Sequence, residues 1–224
     1  LLIYVEWKPT LMRVYLVKTP LLFRLLYPSC VWKIPNAKNE IFLTFDDGPN
    51  PEFTERILSV LASKNILATF FCVGNQIEKH PQLFKKIITA GHSVGNHSHS
   101  HKNGWTTNNT EYINDVKSCA KHINSNLYRP PYGKISSKQL RALKKKYHII
   151  MWDVIGGDFD LKVTSEKIKQ NVLKNTQSGS IIVLHDNPKF AAKMLAVLPQ
   201  IIDALILKGF RFSTINDAPL SRQV

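Results

Sequence analysis

The sequence is poor in cysteine, and the few it has follow no known framework. Cys30, Cys72 and Cys119 are an odd number, lie far apart in 224 residues and have no paired metal-ligand spacing. This argues against a disulfide framework and permits at most one bridge. Cys72 follows the apolar run of residues 66–71, so we predict that it is a small buried residue.

Acidic residues are also scarce. There are 16 of them against 30 lysines and arginines, which gives a formal net charge of +14 at pH 7. Such a balance allows peripheral contact with an anionic cell-wall or membrane surface. No basic motif with interleaved aromatic residues accompanies the charge, so we expect no nucleic-acid partner. The sequence leaves the oligomeric state open.

Long apolar runs are missing as well. The first thirty residues are apolar but are interrupted by charged residues, namely Glu6, Lys8, Arg13, Lys18 and Arg24. The remaining runs are too short for a membrane span, and no clean signal peptide is present. We therefore predict a cytoplasmic or peripherally membrane-associated protein rather than a secreted one. Residues 1–35 are predicted to be an irregular, amphipathic lead-in to one catalytic domain, residues 36–224.

The body of the chain alternates between two hydrophobic periods. Short apolar runs predict strands at residues 41–45, 66–73, 149–154 and 179–184, and amphipathic periodicity predicts helices between them, at residues 52–64, 81–89, 165–175 and 190–207. Such alternation indicates a parallel α/β fold, either a barrel or an open doubly wound sheet. In both, functional sites form where strands end.

Two adjacent carboxylates stand at the first such strand end. Asp46 and Asp47 follow residues 41–45 and precede a Gly48-Pro49 turn. Neighbouring residues of a strand point to opposite sides, so a turn is needed to bring both acids to one site. Taken alone, the motif fits an exposed turn equally well.

Three histidines at alternate positions follow the next short strand, residues 92–94. A strand would align His97, His99 and His101 on one face, whereas a helical turn would align only His97 with His101. Two imidazoles and one carboxylate leave coordination positions open, as hydrolytic Zn²⁺ requires. Either acid of the pair could complete such a site, and the other could act as general base.

Further candidates occupy later strand ends. Arg129 lies in an Arg-Pro-Pro-Tyr-Gly segment, which is either a stiff turn or a rigid support that directs the guanidinium to a carboxylate. The segment of residues 151–159 places an acid and aromatic residues together. His185 follows residues 179–184 and is either a general acid or a hydrogen-bonded strand-end residue.

The ordered segments TFDDGP, HSHSH, RPPYG, GDF and VLH closely resemble the polysaccharide deacetylase family, the carbohydrate esterases with a NodB-homology domain. The resemblance covers about residues 40–214. It implies a distorted (β/α)7 barrel and N-deacetylation of N-acetylglucosamine units in chitin-like oligosaccharide or peptidoglycan. It also implies Zn²⁺, or another divalent transition metal, as cofactor, and an N-acetylated glycan as partner.

The same resemblance assigns roles to individual residues. It implies that Asp47, His97 and His101 bind the metal, that Asp46 is the general base and that Arg129 pairs with Asp46. It further implies that the backbone N–H of Tyr132 stabilises the oxyanion. Finally, Asp158 is expected to orient His185, which protonates the departing amine.

Three positions depart from the family pattern. Phe159 stands where the family often has Trp, and Val183 where Leu is usual, which implies a reshaped apolar wall against the acetyl group and sugar. His99 stands where a bulky apolar residue is common, which leaves open a contact with metal or with sugar. The alternative function is hydrolysis of a small non-carbohydrate amide by the same fold, and a non-catalytic carbohydrate-binding protein is the less favoured reading.

Overall fold

The structure is a computed structural model that describes residues 15–217 and residue 220. Its strands are β1 (Cys30–Val31), β2 (Glu40–Asp46), β3 (Thr69–Cys72), β4 (Ser93–Asn96), β5 (Leu127–Tyr128), β6 (His148–Ile150), β7 (Val154–Ile155), β8 (Ile181–His185) and β9 (Arg211–Phe212). Its α-helices are α1 (Leu21–Leu26), α2 (Thr54–Ser63), α3 (Gly74–Lys79), α4 (Pro81–Thr89), α5 (Asn109–Cys119), α6 (Ser137–Leu143), α7 (Ser165–Asn175) and α8 (Ala191–Leu207).

All strand pairings between these elements are parallel. The strands follow the order β1-β6-β5-β4-β3-β2-β8-β7, and β9 pairs with the start of β2. The register sets Asp46 opposite His185 on one side and opposite Phe71 on the other. Parallel strands end at the same edge of a sheet, so the candidate residues collect at one end. The predicted fold, a distorted (β/α)7 barrel, is confirmed.

The alternation of β2 decides which of its side chains enter the barrel. Ile41, Leu43 and Phe45 pack in the large core beneath the helices, whereas Phe42 packs in a separate interior cluster. Because successive side chains of a strand point to opposite faces, Asp46 lies on the interior side with Phe42. The carboxylate is only 3 % exposed.

The sheet curls, because residues of distant strands meet inside it. Arg129 follows β5, yet its guanidinium contacts Thr44 and Asp46 of β2, although β4 and β3 lie between these strands. The guanidinium also lies 4.1 Å from the centre of the Phe71 ring. The interior of the curled sheet is therefore filled by side chains, and the site lies above this filling.

The described part of the predicted lead-in spans the gap between the two edges of the sheet. On one side β1 pairs with β6, and on the other Lys18 bridges to Val154 of β7. Asp153, which is fully buried, accepts ion pairs from Lys18 and Arg24 and a hydrogen bond from Ser180. The boundary at residue 35 stays a prediction, and residues 1–14 lie outside the described residues.

Two local predictions were wrong. The predicted strand of residues 149–154 is two strands, β6 and β7, because the buried ion pairs of Asp153 and the carbonyls that bond Arg129 interrupt it. Helix α3 was not predicted at all. Gly74 begins it, and a Cβ there would lie 2.5 Å from His99 Nδ1, so close packing rather than helix propensity selects this residue.

The predicted burial of Cys72 is confirmed. Cys30, Cys72 and Cys119 are all free and buried, and burial raises the pKa of each thiol, that of Cys30 to about 12. Among residues 15–217 and 220, no helix has both the length and the apolar character needed to cross a bilayer.

Candidate active site

Asp46 and Arg129 form a buried ion pair on the floor of the cleft. Arg129 Nη1 lies 2.6 Å from Asp46 Oδ1, and neither side chain is more than 5 % exposed. The guanidinium also donates to Thr44 Oγ1 at 2.7 Å and to the carbonyls of Ile150 and Met151. Burial lowers the pKa of Arg129, while the charge of Asp46 and its hydrogen bond counter this effect. The sequence left open whether the Arg129 segment is only a stiff turn or directs the guanidinium to a carboxylate. The structure shows the second arrangement, with Asp46 as the carboxylate.

Asp47 lies beside two imidazoles. Its Oδ1 is 3.0 Å from His101 Nε2 and 3.5 Å from His97 Nε2, and the three ligand atoms lie within 4.8 Å of one another. Burial alone would raise the pKa of Asp47, but hydrogen bonds with His101 and His97 hold it well below its usual range. An ionised carboxylate with two ring nitrogens is a donor set that suits a divalent transition metal.

The backbone turns sharply to separate the two acids. Asp47 has φ of 80°, which lies in the left-handed region, and the Gly48-Pro49 bond is cis. A Cβ on Gly48 would lie 2.6 Å from Asp186 Oδ2. His101 (φ 55°) and Tyr132 (φ 59°) also occupy the left-handed region, which is uncommon for residues other than glycine and is often found at functional sites.

The tautomer of His97 is set by its surroundings. Its Nδ1 lies 2.8 Å from the Arg129 carbonyl oxygen, which can only accept a hydrogen bond. Nδ1 therefore carries a proton and donates to this carbonyl, and Nε2 is directed toward Asp47 and His101. Such a carbonyl partner is the usual support of a metal-ligating histidine.

Two residues that the sequence did not suggest hold the histidine loop. Asp115 of α5 accepts hydrogen bonds from the backbone N–H groups of His99 and Ser100 and from the Ser100 hydroxyl. Asn96 accepts from Ser98 N–H at 2.8 Å and donates to the Val116 carbonyl. Asn96 adjoins the histidine motif, whereas Asp115 has no signal nearby in the sequence.

His185 lies on the strand next to the two acids, where it is the register partner of Asp46. Its Nδ1 is 2.9 Å from Asp158 Oδ1, and its backbone N–H donates to Asp158 Oδ2 at 2.7 Å. Burial lowers the pKa of His185, but Asp158, with contributions from Asp47 and Asp46, raises it to about 9. The ring is therefore protonated at neutral pH, with Nε2 left for the cleft. Phe159 and Phe190 meet it edge to face.

The cleft above these groups has a volume of about 300 Å³. Asp46, Asp47, His97, His101 and His185 line it together. Aromatic side chains form much of the remaining wall, and they are Tyr15, Phe23, Tyr27, Trp32, Tyr132, Trp152, Phe159 and Phe190. Tyr132 is 53 % exposed and meets the His101 ring edge to face, while the role of its backbone N–H stays a prediction.

Val183 does not line this cleft. It lies two residues before His185 on the same side of β8, so it is one layer deeper and fully buried. A contact between Val183 and the substrate is therefore not supported. Phe159, the other predicted wall residue, does line the cleft.

His99 faces away from the site. Its Nε2 lies 3.8 Å from Glu78 Oε2, and its ring stacks beside that of His122. Its backbone N–H is held by Asp115. The sequence left a contact with the metal or the sugar open, and the structure supports neither.

Asn187 and Asp186 are neighbours of the site that the sequence did not suggest. Asn187 Nδ2 donates to Asp47 Oδ2 at 3.0 Å, so both oxygens of this carboxylate are engaged. Asp186 accepts from the Thr54 hydroxyl, and burial raises its pKa to about 7. Both follow His185 directly, which was the only available signal.

Comparison with known proteins agrees with this geometry. A family model described as polysaccharide deacetylase matches residues 33–149. The chain belongs to the polysaccharide deacetylase family. The family predicted from the sequence is thus confirmed, and deacetylase chemistry is the activity of the group.

Relatives of this polysaccharide deacetylase carry related names. It is 39 % identical to a peptidoglycan-N-acetylglucosamine deacetylase of Bacillus cereus over 81 % of this chain and 68 % of that protein. It is 31 % identical to a chitooligosaccharide deacetylase of Azorhizobium caulinodans over 80 % of this chain and 93 % of that protein. A crystal structure of a peptidoglycan N-acetylglucosamine deacetylase, bound to 4-naphthalen-1-yl-N-hydroxybenzamide, is similar with a TM-score of 0.83 and 35 % identity. That similarity covers 91 % of this chain and 99 % of the other.

Proposed function

We propose that this polysaccharide deacetylase is a zinc-dependent enzyme that removes the N-acetyl group from N-acetylglucosamine units of peptidoglycan or chitin-like oligosaccharide. The observation that carries the proposal is that the two adjacent acids have different contacts. Asp47 contacts two imidazoles, whereas Asp46 is held apart from them by Arg129. Adjacent acids of one turn thus have separate environments and separate roles.

The donor set supports a divalent metal. Asp47, His97 and His101 would hold it, and three protein ligands leave at least one position for water or substrate. When bound, Zn²⁺ supplies a Lewis acid that polarises the acetamide carbonyl and makes water more acidic. Asn187 and the Arg129 carbonyl hold the ligands in place from behind.

Asp46 is suited to take the proton of the attacking water. One of its oxygens accepts from Arg129, and the carboxylate lines the cleft beside the metal ligands. Arg129 has no exposed surface and keeps the carboxylate in one orientation through contacts with β2 and β6. A positioned base of this kind contributes about 10²–10⁴-fold to rate.

His185 is suited to protonate the departing sugar nitrogen. Asp158 occupies its Nδ1, which leaves Nε2 as the proton donor toward the cleft. The raised pKa, about 9, keeps the ring charged at neutral pH, as a general acid requires. The proposed acid and base thus line the same cleft.

The substrate class is supported by the wall and by the relatives. Aromatic side chains around a cleft of about 300 Å³ offer apolar faces for a pyranose ring and an acetyl methyl group. The relatives are named for peptidoglycan and chitooligosaccharide deacetylation. A small non-carbohydrate amide is the competing substrate class.

The deciding experiment measures acetate release by the zinc-loaded protein. We expect activity on chitooligosaccharides or peptidoglycan fragments to rise with glycan length, to stop on chelation and to return with Zn²⁺. Asp46→Asn should lower kcat by about 10²–10⁴-fold. Asp203→Asn, a matched change at an exposed position of α8, should have no effect.

Two results would overturn the proposal. Full activity of metal-stripped Asp46→Asn protein would contradict the mechanism, and rapid hydrolysis of small aryl acetamides with none of glycans would favour the competing substrate. The N-hydroxybenzamide bound by the structural relative provides a further check, because N-hydroxyamides chelate divalent metals. It should inhibit in competition with the glycan.

We further propose that the enzyme binds peripherally to an anionic surface. The net charge of +14 supports this, and so do four leucines of α1 that are 60–68 % exposed, Leu21, Leu22, Leu25 and Leu26. Pelleting with anionic vesicles, weakened by salt, would support it. Equal pelleting with neutral vesicles would contradict the electrostatic part.

A further inference from the structure

A second group of metal-ligating side chains lies on the far side of the histidine loop. We name it the outer cluster, and it consists of Glu78, His99 and His122. Glu78 belongs to α3, His99 to the loop that carries His97 and His101, and His122 to the turn after α5. One ligand atom from each lies within 4.8 Å of the other two.

The outer cluster, like the active-site group, combines two histidines with one carboxylate at similar spacing. His122 Nε2 lies 3.0 Å from Glu78 Oε1, and His99 Nε2 lies 3.8 Å from Glu78 Oε2. In the active-site group the corresponding distances are 3.0 Å and 3.5 Å. Ligand atoms that lie about 2.0–2.1 Å from a tetrahedral zinc ion are about 3.3–3.4 Å apart. In both groups one distance is shorter than this separation and the other is longer.

Hydrogen bonding alone does not account for this arrangement. The 3.8 Å distance from His99 Nε2 to Glu78 Oε2 is too long for a hydrogen bond. The His99 and His122 rings lie 6.1 Å apart, centre to centre, and both face a single carboxylate. A cation between the three side chains would engage the Glu78 carboxylate and the Nε2 atoms of both histidines.

The cluster is also accessible. The side chains of His99, His122 and Glu78 are 23 %, 28 % and 49 % exposed, so an ion can reach them from solvent and keep water ligands. Two imidazole nitrogens and one carboxylate oxygen select zinc and similar divalent transition metals over Mg²⁺ or Ca²⁺, which prefer oxygen ligands.

We propose that Glu78, His99 and His122 form an auxiliary divalent-cation site, of the zinc class, that ties α3, the histidine loop and the end of α5 together. His99 lies between the two active-site histidines, so a cation held by His99 would fix the loop from the side opposite the active site. The loop already bonds to α3 through Gly74 and Asn75, which donate to the Ser98 and His99 carbonyls. The auxiliary ion would add a link that depends on metal supply.

The test is a Zn²⁺ titration of the full, metal-stripped chain by calorimetry. We expect two equivalents for the unaltered protein and one for each of three variants, Asp47→Asn, Glu78→Gln and His122→Gln. His148→Gln removes a histidine at the start of β6, away from both groups, and should still bind two. This control separates a built site from general surface binding.

A second measurement guards against variants that fold poorly. In the Asp47→Asn background, Zn²⁺ should raise the thermal midpoint, and adding His122→Gln should remove that rise. One equivalent in the unaltered protein that persists in Glu78→Gln and His122→Gln, two in His122→Gln, or none in Asp47→Asn would each overturn the proposal. Because the Asp47→Asn arm needs no catalysis, the proposed function could fail while the auxiliary site stands, or the reverse.

Discussion

Replacing Arg129 by methionine is expected to destabilise the metal-free protein by about 3–5 kcal/mol. The change removes the cation from a buried pair in which Arg129 is fully buried and Asp46 is 3 % exposed. It also removes the donors to Thr44 and to two backbone carbonyls. An uncompensated buried charge is costly, whereas methionine still fills most of the volume, so the loss is mainly electrostatic.

A double-mutant cycle measures the interaction free energy between Arg129 and Asp46. Asp46→Asn should cost less than Arg129→Met, because the amide oxygen can still accept from the guanidinium and the other acceptors remain. The combined variant has no unpaired carboxylate. Its loss should therefore fall short of the sum of the single losses by about 2 kcal/mol or more.

Urea unfolding followed by tryptophan fluorescence measures these differences, since the chain has four tryptophans. With an m-value of about 2 kcal/mol per molar, a loss of 4 kcal/mol lowers the midpoint by about 2 M. Chelator in all samples removes any contribution from metal binding. A loss below about 1 kcal/mol for Arg129→Met, or strict additivity in the cycle, would refute the reasoning.

Two further predictions concern pH. Asp158→Asn should lower the pKa of His185 from about 9, since burial then acts without its main opposing charge, and the alkaline limb of kcat/KM should move to lower pH. Ring NMR titration of metal-free protein checks this, and an unchanged His185 pKa would contradict it. The pKa of Asp186 is raised to about 7, so the folded state keeps this proton to higher pH than the unfolded state does. The free energy of unfolding should therefore fall by about 3–4 kcal/mol as pH rises from about 4 to 7. In Asp186→Asn that part of the pH dependence should vanish from urea unfolding curves, and its persistence would count against the assignment.

The parts of the site that sequence could predict are those encoded next to a strand end. Asp46, Asp47, His97 and His101 each lie within a short motif that follows an apolar run, and parallel topology brings such ends together. Arg129 was suggested by its prolines, but its four acceptors come from β2 and from residues 150 and 151, which no local pattern reveals.

The parts that sequence could not predict depend on contacts between distant segments. Asp115 lies within a helix and looks like any polar helix residue, yet it holds the histidine loop. Helix α3 begins at Gly74, where a Cβ atom would lie too close to the His99 ring. Val183 was placed in the wall because it departs from the family pattern, but the two-residue period of the strand puts it one layer deeper than His185.

The segment that spans the gap between the sheet edges allows substrate preference to change separately from the catalytic residues. The matched family model begins at residue 33, but Tyr15, Phe23, Tyr27 and Trp32, which line the cleft, precede it. Part of the wall therefore comes from a stretch of chain that carries none of the candidate catalytic or metal-binding residues. We expect that exchanging residues 15–32 with those of a relative changes substrate preference and leaves every proposed acid, base and metal ligand in place, which makes this segment a suitable site for engineering specificity.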